Sequence, residues 1–296
     1  MVRDIKKRIK EAYQVLEACN LCGNLCGVNR LKGEKGRCRV GKELMVASGN
    51  LHLGEEPPIS GERGSGNIFF TGCSLRCLYC QNYPISQLGV GRIVTSQELS
   101  EMMLLLQNKG AHNVNLVTPT HFVPQIIEAV SLAWEMGFDL PLVYNTSGYE
   151  TQSALELLDG IIDVYLVDMR YSDDRIAFSL SQAKNYTEIN RNAVKIMYSQ
   201  VGNLKVKDGL ATGGLIVRHL VLPDGLAGSE ETFEFVQKNV SEKAWISLMN
   251  QYFPAYKAFD YESLKRKATR EEYQKATRKF SQAGLFNGWV QLEQEG

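Results

Sequence analysis

Asn67-Ile68-Phe69-Phe70-Thr71-Gly72-Cys73-Ser74-Leu75-Arg76-Cys77-Leu78-Tyr79-Cys80 is the stretch that decides how the rest of the chain is read. Its first five residues form a short apolar run, the pattern of a buried strand. The cysteines follow at once, with three and then two residues between them, a spacing that wraps a short loop around one object. Thiolates are the standard ligands of iron–sulfur clusters. A structural zinc would normally take four protein ligands, and no fourth cysteine or histidine lies close by in the sequence. A cubane cluster has four irons, so three local cysteines leave one iron open. Such a cluster is a potential reagent as well as an electron carrier. The plainer reading is an inert zinc or electron-transfer site.

Downstream, strands and helices alternate. Helical periodicity covers 96–109, Val123–Trp134, Thr151–Leu158, Asn190–Gln200 and Glu230–Asn239. Strand patterns fall at Asn113–Val117, Leu140–Asn145, Ile162–Val167, Gly214–Leu222 and Trp245–Met249. With Asn67–Thr71 these make six strands. That order implies βαβ units and a parallel sheet. The expected fold is α/β, a partial (β/α)6 TIM-like barrel with a cysteine-rich N-terminal metal-binding segment. Its functional residues should stand just after the strands, at the C-terminal face.

An amphipathic helix on Ile5, Ile9, Ala12, Tyr13 and Leu16 opens the chain. Residues 19–66 show little regular pattern and read as a cysteine-organised appendage with an extended lead-in. The expected division is therefore 1–66 and 67–296. In the tail, Tyr261–Ala283 has a charged, helical composition suited to a solvated helix on the barrel, and Leu285–Leu292 is a candidate strand. Gly61–Gly66 lacks the Gly-Lys-Ser/Thr ending of a phosphate loop and precedes a strand instead of following one.

The 33 basic and 33 acidic residues cancel, which argues against nucleic acid and against a polybasic membrane surface. No apolar run approaches the roughly 20 residues of a transmembrane helix. The charged stretch from Met1 to Lys10 lacks the apolar core of a secretory signal, so a cytoplasmic address is expected. Disulfides are rare there, and seven cysteines point to metal or redox chemistry. Four of them, Cys19-x2-Cys22-x3-Cys26-x11-Cys38, supply a full set of ligands within twenty residues. Four thiolates close a site, and both zinc and an all-cysteine cluster suit that number. Cys19-Asn20-Leu21-Cys22-Gly23 looks like a zinc knuckle, which favours zinc. An auxiliary cluster would serve electron delivery or substrate binding.

The Cys73-x3-Cys77-x2-Cys80 loop at the end of a first strand resembles the signature of the radical S-adenosylmethionine (SAM) superfamily. The resemblance implies a [4Fe–4S] cluster on these three catalytic cysteines. Its open iron would be chelated by the amino and carboxylate groups of SAM. An electron would then break the S–C5′ bond and leave a 5′-deoxyadenosyl radical, chemistry that proteins delegate to cofactors. Tyr79 would pack near the adenine.

Leu53-Gly54-Glu55-Glu56-Pro57-Pro58-Ile59-Ser60-Gly61, Gly64-Ser65-Gly66, Cys80-Gln81-Asn82-Tyr83 and Thr118-Pro119-Thr120-His121-Phe122-Val123-Pro124-Gln125 resemble one branch more closely. This branch is the PflX type, proteins named for pyruvate formate-lyase activation, and the resemblance spans nearly the whole chain. Two departures stand out. The Gly-Gly-Glu that ends the second strand in many superfamily members is replaced by Val117-Thr118-Pro119-Thr120-His121, so Thr118, Thr120 or His121 would supply the contact to SAM. The ferredoxin-like cysteine inserts of many glycyl-radical activases are missing after the loop.

Other strand ends suit a SAM pocket. Asn145 and Ser147, in Asn145-Thr146-Ser147-Gly148, could bond ribose hydroxyls and the carboxylate. Asp168-Met169-Arg170 resembles the Asp-Leu-Lys of pyruvate formate-lyase activase. Arg218-His219 would reach the pocket if its side points inward. His121 could instead open the following helix, and His52 and His112 read as ordinary loop residues.

The reaction so implied is reductive SAM cleavage followed by hydrogen abstraction, with a glycine of a partner protein as target and flavodoxin or ferredoxin as electron donor. One alternative keeps the chemistry but modifies a peptide, an RNA or a small molecule. Another is a non-enzymatic iron–sulfur electron carrier.

Overall fold

The computed structural model describes residues 4–291. Its strands are β1 (Leu44–His52), β2 (Ser65–Phe70), β3 (Arg92–Val94), β4 (Val114–Val117), β5 (Leu142–Thr146), β6 (Val164–Asp168), β7 (Lys205–Lys207), β8 (Leu210–Leu220), β9 (Trp245–Met249) and β10 (Asn287–Val290). The helices are α1 (Ile5–Gln14), α2 (Pro57–Ser60), α3 (Tyr83–Ser86), α4 (Ser96–Asn108), α5 (Val123–Glu135), α6 (Gln152–Leu158), α7 (Asp174–Ser181), α8 (Tyr186–Val201), α9 (Ser229–Asn239) and α10 (Arg270–Gln282). The sheet runs β10-β9-β8-β6-β5-β4-β2-β1-β3, with β7 attached to β8. Along the path from β10 through β9, β8, β6, β5 and β4 to β2 every pairing is parallel, whereas β1, β3 and the offshoot β7 add on antiparallel. The two ends of this order do not pair among the described residues, so the barrel is partial and open-sided.

All six expected strands are present, with ends displaced by at most four residues. They form because each run is buried on both faces, as a parallel sheet under helices requires. Successive side chains alternate between outside and inside. On β5, Leu142 and Tyr144 join the outer core, while Val143 joins an interior layer with Val164, Leu166 and Ile216. Ile59, on α2, belongs to the same interior cluster. Turn chemistry places the outer helices. Thr95 and Glu98 form a reciprocal capping box on α4, and Thr151 caps α6.

Three regions differ from expectation. The stretch 19–66 contains β1, nine residues long and paired to β2 along most of its length. Only Leu44 and Val46 of β1 are buried, because small and polar residues follow, so its alternation fades and no strand pattern shows. Ala12, Leu16, Cys19, Leu21, Cys38 and Val40 share the main outer core, which builds the supposed appendage into the body. Second, α7 lies between β6 and α8, in a stretch without a predicted element. Third, the tail helix is shorter than the charged segment, running Arg270–Gln282 from a Thr269–Glu272 capping box. The expected final strand is β10, parallel to β9; residue 292 of it lies outside the described residues.

Candidate cluster and cofactor site

At the end of β2 the chain turns sharply. Gly72 has φ 88, and a Cβ there would stand 2.7 Å from the Cys38 carbonyl oxygen, so only glycine fits. The cysteine loop begins at this turn. It is clamped by α7, where the Ser181 and Leu180 carbonyls accept from the backbone N–H groups of Arg76 (2.9 Å) and Leu78 (2.8 Å).

Every thiol in the loop has a polar neighbour. The Leu75 N–H donates to Cys73 Sγ at 3.4 Å and the Ser181 hydroxyl to Cys77 Sγ at 3.0 Å. Ser86 Oγ lies 3.1 Å from Cys80 Sγ. Hydrogen bonds of this kind orient and tune thiolate ligands. Burial, reinforced by the neighbouring Cys77, pushes the Cys73 thiol up to about 12. Burial also raises Cys77, partly countered by the Arg170 guanidinium. Iron, by displacing the protons, would relieve that penalty. Among the described residues no three His, Cys, Asp or Glu side chains gather around a single metal ion. The loop thiols lie near enough for each to feel its neighbours' charge.

Below the loop, the inward positions of successive strands turn polar. Arg218 on β8 donates to Asp168 Oδ1 (2.7 Å) at the end of β6 and to Asn145 Oδ1 (2.8 Å) on β5. It also pairs with Glu55 at 3.6 Å, and Arg170 grips the other Asp168 oxygen at 2.5 Å. Burial alone would raise Asp168, but Arg218 and Arg170 outweigh it and hold the carboxyl below its ordinary range. Glu56 behaves oppositely: burial raises it despite the pull of Arg218. Glu55 accepts from Asn67, whose side-chain oxygen accepts from Asn115.

Sequence reasoning missed Glu55, Glu56, Asn67, Asn115 and Ser247 as members of this polar network. One signal was available. Asn67, Asn115, Asn145, Asp168, Arg218 and Ser247 are polar residues set within largely apolar strands, all but Arg218 buried.

The expected site residues separate by strand face. Asn145, Asp168, Arg170 and Arg218 meet in the one network above. His219, next along β8, points outward and bonds the Met169 carbonyl (2.8 Å) and Ser229 Oγ (2.9 Å). Thr120 also lies away from the network, giving its hydroxyl to the buried Glu150 at 2.6 Å, and Thr146 contacts the same carboxyl. His121 bonds the Thr71 carbonyl through Nε2 at 2.8 Å, bracing the turn at Gly72. Thr118 remains half-buried at the strand end in left-handed conformation, φ 61. Ser147 offers its carbonyl to Tyr186. Tyr79 is buried, with its hydroxyl 2.6 Å from that of Tyr171, which in turn lies 2.5 Å from Ser181 Oγ. A hydroxyl chain thus ends on Cys77.

The N-terminal cysteines lie alongside. Asn24 donates to Cys22 Sγ (3.5 Å) and to the Ser74 carbonyl inside the loop (2.7 Å). The Arg37 N–H donates to Cys26 Sγ at 3.3 Å. Arg30, fully buried, bonds the Gly41 and His121 carbonyls, and its guanidinium also contacts Cys19 Sγ at 3.9 Å. Among the described residues it has no carboxylate partner, so thiolates are its natural counter-charge. Burial raises Cys22 to about 12 and also raises Cys38, although Arg30 pulls the latter back.

The family model of the radical SAM superfamily matches residues 67–210. The uncharacterised protein MJ0674 of Methanocaldococcus jannaschii is 33% identical over 278 residues, 91% of this chain and 76% of its own. This chain belongs to the radical SAM superfamily. Two solved structures share the fold. A radical SAM methyltransferase from Sphaerobacter thermophilus superposes with TM-score 0.52 at 15% identity, over 76% of this chain and 65% of its own. Streptococcus suis SuiB bound to S-adenosylmethionine gives TM-score 0.50 at 12% identity, over 74% and 48%. This chain therefore spans under two thirds of the methyltransferase and about half of SuiB.

The residues present fit the family's cofactors. Cys73, Cys77 and Cys80 are the thiols that would hold the cluster. Within the protein, Arg170 Nε, Glu56 Oε2 and Asn115 Oδ1 are buried and have no hydrogen-bond partner. Unpaired groups of this kind suit a polar ligand such as SAM. No described helix is long and apolar enough to cross a membrane.

Proposed function

We propose that this protein cleaves SAM reductively and uses the resulting radical to abstract hydrogen from a glycine of a partner protein. Cys73, Cys77 and Cys80 would hold the cluster, which when bound would supply the one-electron reduction that SAM cleavage needs. The chain's own residues bind and orient. Arg170 and Asn145 suit the SAM carboxylate and ribose, Asp168 stays ionised beside two guanidiniums, and Thr118 and Ser147 line the same strand ends. Tyr79 and Tyr171 anchor the loop through Ser181. The observation that carries the reading is the juxtaposition of hydrogen-bonded loop thiols with this buried Asp168–Arg170–Arg218 network.

The resemblance of Leu53–Gly61 and Thr118–Gln125 to the PflX-type branch supports a protein glycine as target. Cys19, Cys22, Cys26 and Cys38 would form a closed four-thiolate centre, zinc by its knuckle-like spacing or an auxiliary cluster. A flavodoxin or ferredoxin in the cytoplasm would deliver the electron. Two experiments test this. SAM added to the reduced, reconstituted protein should change the cluster's electron paramagnetic resonance signal; an unchanged signal at saturating SAM would favour a plain electron carrier. With a candidate partner protein, a persistent organic radical should follow, and its absence with SAM consumed would redirect the chemistry to a peptide or small molecule.

A further inference from the structure

The outer face of the cysteine loop carries a cluster of positive side chains that no carboxylate pairs with among the described residues. Arg37, Arg39, Arg76 and Lys257 line one groove over Leu78, the residue after Cys77. Their recorded side-chain hydrogen bonds go to neutral acceptors. Arg39 donates to the Gln87 carbonyl at 3.1 Å, Arg76 to Gln87 Oε1 at 2.9 Å and to the Arg37 carbonyl, and Arg37 to Gln182 Oε1. Among the described residues no carboxylate pairs with any of the four. Arg76 is held below its ordinary range, by burial first and then by the charges of Arg39 and Arg37. A cluster of mutually repelling cations with no internal partner lowers its energy when an anion arrives.

The patch is also joined directly to the cysteine loop. Arg76 lies within the Cys73–Cys77 span, and the Lys257 N–H is bonded to the Leu78 carbonyl at 2.8 Å. Cys26 and Arg37 line the adjoining groove, whose rim carries Phe178, 52% exposed. Apolar anchors within a charged rim are the make-up of a protein-binding face.

We infer that this arginine-rich face is the docking surface of a small acidic one-electron carrier protein. The inference rests on the proposed reductive cleavage, which consumes one electron per event that neither SAM nor the chain's side chains provide. The docked carrier is oxidised by one electron as the cysteine-held centre is reduced by one.

The test uses the reconstituted holoenzyme and a low-potential ferredoxin as probe, with complex formation measured at low and high salt. Arg37 is left native because its backbone serves Cys26; the variant is R39E/K257E, with R39Q/K257Q as the milder form and K205E/K207E as a distant control. Docking here predicts affinity about 10- to 100-fold weaker in R39E/K257E at low salt, a smaller loss in R39Q/K257Q, and a flatter salt dependence in both. The distant control should bind like the wild type. Ferredoxin-driven 5′-deoxyadenosine formation should fall in step with binding, while the dithionite-driven rate holds. Equal affinity and equal salt dependence in wild type and R39E/K257E, with cluster content unchanged, would overturn the inference. Failure of dithionite to drive the wild type would count against the catalytic reading alone, since binding still judges the docking face.

Discussion

Two cysteine groups lie side by side in this molecule, and they differ in number of thiols and in surroundings. The N-terminal group brings four thiols from irregular backbone: Cys19 contacts the buried Arg30, Cys22 accepts from the Asn24 amide and Cys26 from the Arg37 N–H. The loop group brings three thiols from a single turn after β2, bonded by Leu75, Ser181 and Ser86, and opens towards a buried polar pocket. Four ligands leave a metal nothing further to bind, whereas three leave one corner for a substrate. Function therefore depends on the ligand that is missing and on what the fold places opposite the gap.

The largest effect that would sharpen this contrast is on the pocket side. Arg218→Met leaves Asp168 and Glu55 buried without their main counter-charge, so the protein should lose about 3–5 kcal/mol of stability in denaturant unfolding. SAM affinity should fall while metal at the four N-terminal cysteines is retained. Loss of that metal as well would show that the two groups are one cooperative unit.

A second effect separates the two faces of β8. Burial pushes His219 down to about 4. An unfolded histidine takes its proton near pH 6.5, so between about 6.5 and 4 the unfolded state binds more protons than the folded one. The stability contributed by neutral His219 is complete above pH 6.5 and drains away as pH falls towards 4, at about 1.4 kcal/mol per pH unit. His121 acts in the same direction, so the informative quantity is the difference between wild type and His219→Gln. The variant should show a shallower acid slope, and identical slopes would mean that His219 is not buried neutral.

The smallest effect is confined to one thiol. Ser181→Ala removes the hydroxyl bonded to Cys77, a contribution of about 1 kcal/mol, or roughly 40 mV for a one-electron couple. Because that bond favours the more negative, reduced state, the midpoint potential of the loop cluster should fall in a redox titration. The N-terminal centre should not respond, and a common shift of both would merge the groups electronically.

Much of this contrast was legible in the chain. Cys73, Cys77 and Cys80 announced themselves by spacing, and the six strands by apolar runs, because both signals are local. Asn145, Asp168, Arg170 and Arg218 could be placed at strand ends, but only the structure joins them in one network. Arg218 and His219 show the limit: adjacent strand residues point oppositely, and a one-residue register decides which enters the pocket. Glu55 and Glu56 could not be assigned, since they reach the interior from a lead-in outside the βα repeat. Arg30 was silent for a similar reason, because its burial arises from contacts with Gly41 and His121, distant in sequence.

The central claim is that the three-thiol loop is the reagent centre and the four-thiol group a closed neighbour. The most direct measurement is 5′-deoxyadenosine formed from SAM and dithionite by anaerobically reconstituted wild type, Cys77→Ala and the double variant C22S/C38S. Product is expected from the wild type and from C22S/C38S, and a fall of at least about a thousandfold, some 4 kcal/mol in barrier, in Cys77→Ala. Equal loss in both variants, with the loop cluster of C22S/C38S intact by spectroscopy, would contradict it.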